Sequence, residues 1–120
     1  MEKNGKENII ELVLEGGIKL NVKFEKENKE LFFEITEEID HHKVEKLRRE
    51  LDYEIQRYMP RKVVFDFNNV SFMDSAGIGM IIGRYKMMKM IGGNVEVCNV
   101  TETLKRIFDM GGITKIIKIV

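Results

Sequence analysis

The chain contains few residues that cross-link or interrupt a fold: one cysteine (Cys98), one proline (Pro60) and no tryptophan. A single cysteine excludes an internal disulfide and provides no second thiol for a metal site. No apolar run approaches the roughly 20 residues that span a bilayer, and the polar first residues are not followed by an apolar stretch of the signal-peptide type. We therefore expect a cytoplasmic protein that makes no membrane contact.

The chain also lacks an excess of either charge. Its 20 lysine and arginine residues balance 20 aspartate and glutamate residues, and this balance argues against direct binding to nucleic acid. Of the 120 residues, 43% are hydrophobic, which is enough for one core but not for two. Length and composition therefore predict a single domain.

Groups for catalysis are scarce as well. His41 and His42 are the two histidines, and neighbours on a helix point about 100° apart, so we interpret them as a surface pair at a helix start and not as a chelating pair. Ser75 lacks the glycine two places earlier that a G-x-S-x-G elbow requires, and Gly77 and Gly79 lack the lysine and spacing of a phosphate loop. We predict no enzyme activity, no metal ion and no cofactor.

What the sequence does contain is an alternation of strand-like and helix-like segments. Residues 1–17 are interpreted as an N-terminal extension with one strand-like run, Ile9–Leu14, and residues 18–120 as the domain. Apolar spacing predicts five strands in the domain, at Lys19–Glu25, Leu31–Thr36, Val63–Phe67, Val95–Cys98 and Lys115–Val120. It also predicts three helices, one capped by Asp40 and ended by Pro60, one over Ala76–Ile91, and one capped by Thr101 and closed by Gly111 and Gly112.

This order of elements indicates the fold class. Strands that alternate with helices imply right-handed crossovers and a sheet that is parallel after its first hairpin. The strands are not apolar throughout, because Val63, Phe65 and Phe67 alternate with Val64 and Asp66. We infer an α/β fold with a mixed, mostly parallel sheet and helices mainly on one face.

The segment from Val70 to Gly79 links a predicted strand to the start of a helix. Ser71 or Asp74 can cap that helix, and the glycines allow close packing, which is a purely structural interpretation. A helix start also tolerates an added phosphate, because its free amides and dipole stabilise negative charge. Ser75 is therefore suited to carry a phosphoryl group.

The same segment, S-F-M-D-S-A-G-I-G at residues 71–79, resembles the anti-sigma-factor antagonists, a family of STAS domains, and most of all its sporulation members. Further matching motifs are Asp40-His41-His42 and residues 83–86, 91–93, 104–110 and 115–117. The similarity extends from about Val22 to Val120. It implies the β-α superhelix of a STAS domain.

The resemblance also implies a function. A member of this family binds an anti-sigma factor that is also a serine kinase, and this binding releases a sigma factor. The kinase then uses ATP to phosphorylate a serine that corresponds to Ser75, the phosphoprotein binds weakly, and a serine phosphatase resets it. Asp40 corresponds to an acidic residue of the partner-binding surface, and Ala76 stands where many members have a second serine or threonine.

The second helix carries two apolar sides. Its predicted core side consists of Ile78, Ile81, Ile82, Tyr85 and Met88, and a nearly opposite stripe consists of Met80, Gly83, Met87 and Met90. The stripe is either an adaptable docking surface or a contact with another element, such as the third helix or the N-terminal extension. On the first interpretation the partner-binding surface comprises Asp40, Asp74, Ser75, Ala76, Gly77, Met80, Gly83 and Met87.

Two other functions are compatible with some of these observations. A STAS domain can also serve as a signalling scaffold or as the regulatory piece of a transporter complex. A small enzyme or nucleotide-binding protein is disfavoured, because the sequence supplies neither a base next to Ser75 nor a phosphate loop.

Overall fold

The computed structural model describes residues 9–120, and the first eight residues of the predicted extension lie outside that range. Six strands and three helices follow one another along the chain. The strands are β1 (Ile9–Val13), β2 (Lys19–Glu25), β3 (Glu30–Ile35), β4 (Lys62–Asp66), β5 (Asn94–Cys98) and β6 (Lys118–Ile119). The helices are α1 (His41–Tyr58), α2 (Ser75–Met90) and α3 (Glu102–Met110).

The strands form one sheet whose spatial order, β1 to β6, is the same as their order in the chain. β1, β2 and β3 pair antiparallel, and β3, β4, β5 and β6 pair parallel. The predicted change from an antiparallel hairpin to a parallel sheet is therefore confirmed. The strand-like run of the predicted extension is β1, which pairs with β2 from Ile9 opposite Lys23 to Val13 opposite Lys19.

One face of the sheet forms the core. Phe33 on β3 lies in register with Phe65 on β4 and Val97 on β5, and all three side chains are fully buried. Phe65 stacks on Phe67, whose ring meets that of Phe108 on α3 edge to face at 5.8 Å. The helices cover this face, as the alternation of apolar and polar residues predicts.

The opposite face carries paired polar side chains. Lys62 on β4 lies between two carboxylates, with its Nζ 3.2 Å from Glu30 Oε2 and 3.4 Å from Glu96 Oε1. The hydrogen bond that Lys62 donates to Glu30 is the main cause that raises the pKa of Lys62, while partial burial acts in the opposite direction. Such cross-strand ion pairs suit a sheet face that no helix covers.

Helix boundaries follow from local signals. Asp40 caps α1 by accepting hydrogen bonds from the amides of His42 and Lys43, and Thr101 caps α3 by accepting from the amide of Leu104. Met59, just before Pro60, adopts a left-handed conformation with φ of 46° and ends α1. All three boundaries agree with those predicted from the sequence.

The last predicted strand is largely wrong. A 3₁₀ turn occupies Ile113–Lys115, and the strand is reduced to Lys118–Ile119. Ile113 and Ile117 are both buried, and a helical turn places residues four apart on the same side. Burial of this pair in the core therefore favours a turn over an extended chain.

Candidate functional site

The loop between β4 and α2 ends in a helix cap. Oδ1 of Asp74 accepts hydrogen bonds from the amides of Ala76 at 3.0 Å and Gly77 at 3.1 Å. Ser71 is not the cap, because its amide and hydroxyl both donate to Oε1 of Glu38, at 3.0 and 3.1 Å. Of the two predicted caps, Asp74 is therefore the correct one, and α2 begins at Ser75, one residue earlier than predicted.

The starts of α1 and α2 lie side by side and in register. An isolated parallel bridge pairs Ile39 with Met73. Each of the two segments then continues into an aspartate cap, Asp40 or Asp74, one residue later. Oδ2 of Asp74 also accepts a hydrogen bond from the amide of His41 at 3.1 Å. The carboxylate of Asp74 therefore holds the first turns of both helices.

Ser75 is the first residue of α2 and is exposed to solvent. Its hydroxyl stands at a helix start, where an added phosphate meets the positive end of the dipole. Among residues 9–120 no group of three or more histidine, cysteine, aspartate or glutamate side chains could hold a metal ion. A helix start of this kind tolerates an added phosphate, and no side chain among residues 9–120 is hydrogen-bonded to the Ser75 hydroxyl.

The glycines of α2 have two different environments. A side chain at Gly77 would collide with Met73, so this glycine is required by packing inside the molecule. A Cβ at Gly79 or Gly83 would meet no atom within 4 Å. Because Ser75, Gly79 and Gly83 are spaced by four residues, they lie on one side of the helix. That side presents bare backbone next to the serine.

Helix α2 lies between its two neighbours, and its Met80 is 3% exposed. Arg84 Nε lies 3.0 Å from Asp52 Oδ1 on α1, and Ile78 packs against Gly111 at the end of α3. Met80 is one turn before Arg84 and so lies on the same side of α2 as this arginine. The exposed position predicted for Met80 is therefore wrong, because its side chain is part of the hydrophobic core.

The rest of the stripe is more accessible. Gly83 and Met87 are half-buried and Met90 is exposed. On the predicted core side, Ile81 and Met88 are fully buried, and Ile78, Ile82 and Tyr85 are partly buried. These differences arise because a helix with neighbours on both flanks buries apolar residues on more than one side.

An aromatic side chain close to the serine in the sequence, Phe72, belongs to this exposed region as well, although it was not among the residues predicted. Phe72 is 54% exposed, although Val70 and Met73 on either side of it are buried. Three apolar residues within four positions of a short loop cannot all point inward, so this crowding was a usable signal. Phe72 extends the apolar part of the surface that surrounds Ser75.

Arg84 on α2 forms an ion pair with Asp52 on α1. Burial lowers the pKa of its guanidinium, Asp52 acts in the opposite direction, and Arg48 adds to the lowering. The pair with Asp52 links α1 to α2 about three turns beyond the start of α1 and about two and a half turns beyond the start of α2. It therefore helps to set how the two halves of the candidate surface, at Asp40 and Ser75, lie relative to one another.

None of the helices in residues 9–120 combines the length and apolar character needed to span a membrane.

Comparisons with known proteins agree with this architecture. A family model described as the STAS domain matches residues 20–120. An anti-sigma F factor antagonist from Paenibacillus polymyxa is 37% identical over 100 residues, which cover 83% of this chain and 86% of the relative. An anti-sigma-B factor antagonist from Bacillus subtilis (strain 168) is 32% identical over 100 residues, which cover 83% of this chain and 90% of the relative. The solved structure of unphosphorylated SpoIIAA, an anti-sigma factor antagonist, matches with a TM-score of 0.72 at 23% identity and covers 84% of this chain and 87% of that one, a likeness of fold.

Proposed function

This chain belongs to the STAS domain family, and on that basis we propose that it is an anti-sigma-factor antagonist. It binds an anti-sigma factor that is also a serine kinase, and a sigma factor is thereby released. The kinase phosphorylates Ser75 with ATP, which ends the tight complex, and a serine phosphatase restores the binding form. The chain itself acts in the cytoplasm as a binding module without a catalytic residue or cofactor.

The observation that carries this proposal is the position of Ser75. Its hydroxyl is exposed at the start of α2, directly after a cap that already satisfies the amides of Ala76 and Gly77. A phosphoryl group can therefore be added without breaking a hydrogen bond that the helix needs. The relatives from Paenibacillus and Bacillus are themselves named as antagonists of anti-sigma factors, which supports the same role.

The proposed partner-binding surface surrounds this serine. It includes Asp40, Asp74, Ser75 and Ala76 at the two helix starts, with Gly83 and Met87 further along α2. Phe72 and Gly79 join it because they are exposed, whereas Gly77 and Met80 leave it because both are buried. Each helix glycine costs roughly 0.5–1 kcal/mol relative to alanine, and nothing inside the molecule uses the space at Gly79 or Gly83. A partner that approaches the helix backbone closely would use this space.

Electrostatics explains why phosphorylation would end the complex. A phosphate adds about 1.5 to 2 negative charges at neutral pH. It would stand next to the carboxylates of Asp74 and Asp40, and an interface that has excluded water does not screen such charges. Each 1.4 kcal/mol of lost binding free energy weakens the complex about tenfold, so a loss of a few kcal/mol turns a tight complex into a transient one.

The test is the intact mass of the protein after incubation with ATP and the anti-sigma kinase encoded beside it. We expect one added phosphate on the wild type and none on Ser75→Ala, with release of the sigma factor measured next. A phosphate on both proteins would show that a residue other than Ser75 is the acceptor. If a panel of such kinases adds no phosphate to either protein, the antagonist proposal fails, and a STAS signalling scaffold or transporter-associated regulatory domain takes its place.

A further inference from the structure

Phosphorylation of Ser75, on which this inference rests, would place a doubly charged group beside a side chain that the sequence analysis treated as ordinary surface. In both segments joined by the parallel bridge between Ile39 and Met73, the bridge residue is followed by an aspartate cap and then by the first helical residue. Those first helical residues are His41 on α1 and Ser75 on α2. The in-register start of the two helices therefore makes them neighbours, although they are 34 positions apart in the sequence.

The imidazole of His41 is already oriented toward this junction. Its Nδ1 lies 3.9 Å from Oδ2 of Asp74, the oxygen that also accepts the hydrogen bond from the His41 amide. The side chain is 68% exposed, so it can turn without disturbing the core. Its backbone holds the helix junction, and its ring remains available for another anion.

The other charged groups around His41 already have partners. Oδ1 of Asp40 accepts from two amides of α1, and Asp74 accepts from amides of both helices. Lys43 Nζ lies 3.7 Å from Glu37 Oε1 and 3.3 Å from the carbonyl of Glu38. The titratable and charged groups near the imidazole are thus Asp40, His42 and Lys43 on α1, Glu37 and Glu38 on the loop before α1, and Asp74 on the loop before α2.

We propose that the imidazolium of His41 pairs with the phosphate on Ser75 and stabilises its doubly charged form. His41 is a positioning residue of the phosphorylated state, and it takes no part in the transfer of the phosphoryl group. A phosphate loses its second proton near pH 6. Because an imidazolium and a phosphate dianion carry opposite charges, each favours the charged form of the other.

The pairing predicts a shift that can be measured directly on the phosphorus atom. Phosphoserine is incorporated at position 75 during translation, so that the sample does not depend on a kinase, and the phosphate is titrated by ³¹P NMR. In His41→Gln, which keeps the backbone hydrogen bond to Asp74, we expect the second ionisation of the phosphate about half a pH unit higher than in the otherwise wild-type phosphoprotein.

The neighbouring histidine provides the matched control. The centre of the His42 ring lies 3.9 Å from that of His41, with the two rings tilted by 39°, but the His42 amide donates to Asp40 and not to Asp74. We expect His42→Gln to leave the phosphate titration close to that of the wild type. Equal shifts in the two variants, or none in His41→Gln, would overturn the pairing. Failure of the kinase to phosphorylate Ser75 would be seen separately, in the mass experiment, and would count against the antagonist function.

Discussion

At the scale of single residues, substitution of a glycine in α2 should have different effects on stability and on partner binding. Gly79→Ala should stabilise the protein by about 0.5–1 kcal/mol, because alanine favours the helix and its Cβ meets no other atom. The same substitution should weaken binding to the anti-sigma kinase, since the added methyl group holds the partner away from the backbone. Urea denaturation and titration calorimetry measure the two effects.

Gly77→Ala is the matched control for this prediction. Its Cβ would collide with the side chain of Met73, and we expect a loss of about 1–3 kcal/mol of stability. If the Gly79→Ala protein is stabilised and binds its partner as tightly as the wild type, Gly79 is not part of the partner-binding surface.

Glu54 is a buried carboxyl group on α1 with 4% exposure. Burial raises its pKa above the ordinary value of 4.5, a hydrogen bond and repulsion from Glu50 add to this, and Arg57 acts in the opposite direction. The folded protein therefore holds this proton more tightly than the unfolded chain. Its contribution to stability is complete below pH 4.5 and is lost as the pH rises through the folded pKa.

Glu54→Gln does not titrate and should avoid this loss. We expect the variant to be more stable than the wild type at pH 7, on the order of 1 kcal/mol, and the difference to shrink toward pH 4. Thermal unfolding across this pH range measures the trend. Glu45→Gln, at an exposed position of the same helix, should not show it. A difference that is constant with pH would contradict the assignment to Glu54.

At the scale of elements, the ion pair between α1 and α2 is asymmetric. The side chain of Arg84 is 11% exposed, whereas that of Asp52 is 31% exposed. Asp52→Asn leaves a buried guanidinium without its partner, and we expect a loss of about 2 kcal/mol. Arg84→Met leaves a carboxylate that water can reach and should cost only about half as much.

Urea denaturation of both single variants and of the double variant measures these differences in stability. It tests whether the cost depends on which charge is left buried and unpaired. The double variant should be less destabilised than the sum of the two, because neither charge is left alone. An Arg84→Met protein that is less stable than Asp52→Asn would show that packing of the arginine stem, not its charge, holds the helices together.

The elements also show what the sequence can reveal. Caps and breakers act within a few residues, so the starts of α1 and α3 and the end of α1 were predictable from Asp40, Thr101 and Pro60. The surroundings of Met80 depend on which helix lies beside α2, and a helical wheel carries no such information. The neighbourhood of His41 and Ser75 arises from a bridge between residues 34 positions apart. Phosphate tolerance at Ser75 could thus be predicted locally, but its neighbour on α1 could not.

At the scale of the whole molecule, β1 tests where the domain begins. Residues 1–17 were assigned to an extension, yet β1 pairs along its whole length with β2 and its Leu12 packs against the core. Removal of residues 1–17 should cost about 2–3 kcal/mol more than removal of residues 1–8 alone, because only the longer deletion uncovers the β2 edge and its apolar side chains.

Both truncated proteins should still accept one phosphate, since Ser75 lies on the helix that connects β4 and β5, and β1 is separated from those strands by β2 and β3. Denaturation compares their stability, and intact mass after incubation with the kinase compares their function. Equal stability of the two truncated proteins would place β1 outside the folding unit.

The order of the sheet has a consequence for biosynthesis. Every pairing in the described part of the chain joins two strands that are consecutive in the sequence. A ribosome releases the chain from its N-terminus, so each new strand emerges next to an edge that is already in place, and no strand has to wait for a distant one. Pairing between strands that are consecutive in the sequence also keeps the loop to be closed shorter than pairing with a more distant strand would. The sheet can therefore grow in one direction during synthesis, from the antiparallel hairpin toward β6, with the serine-bearing helix enclosed only when β5 and α3 have emerged.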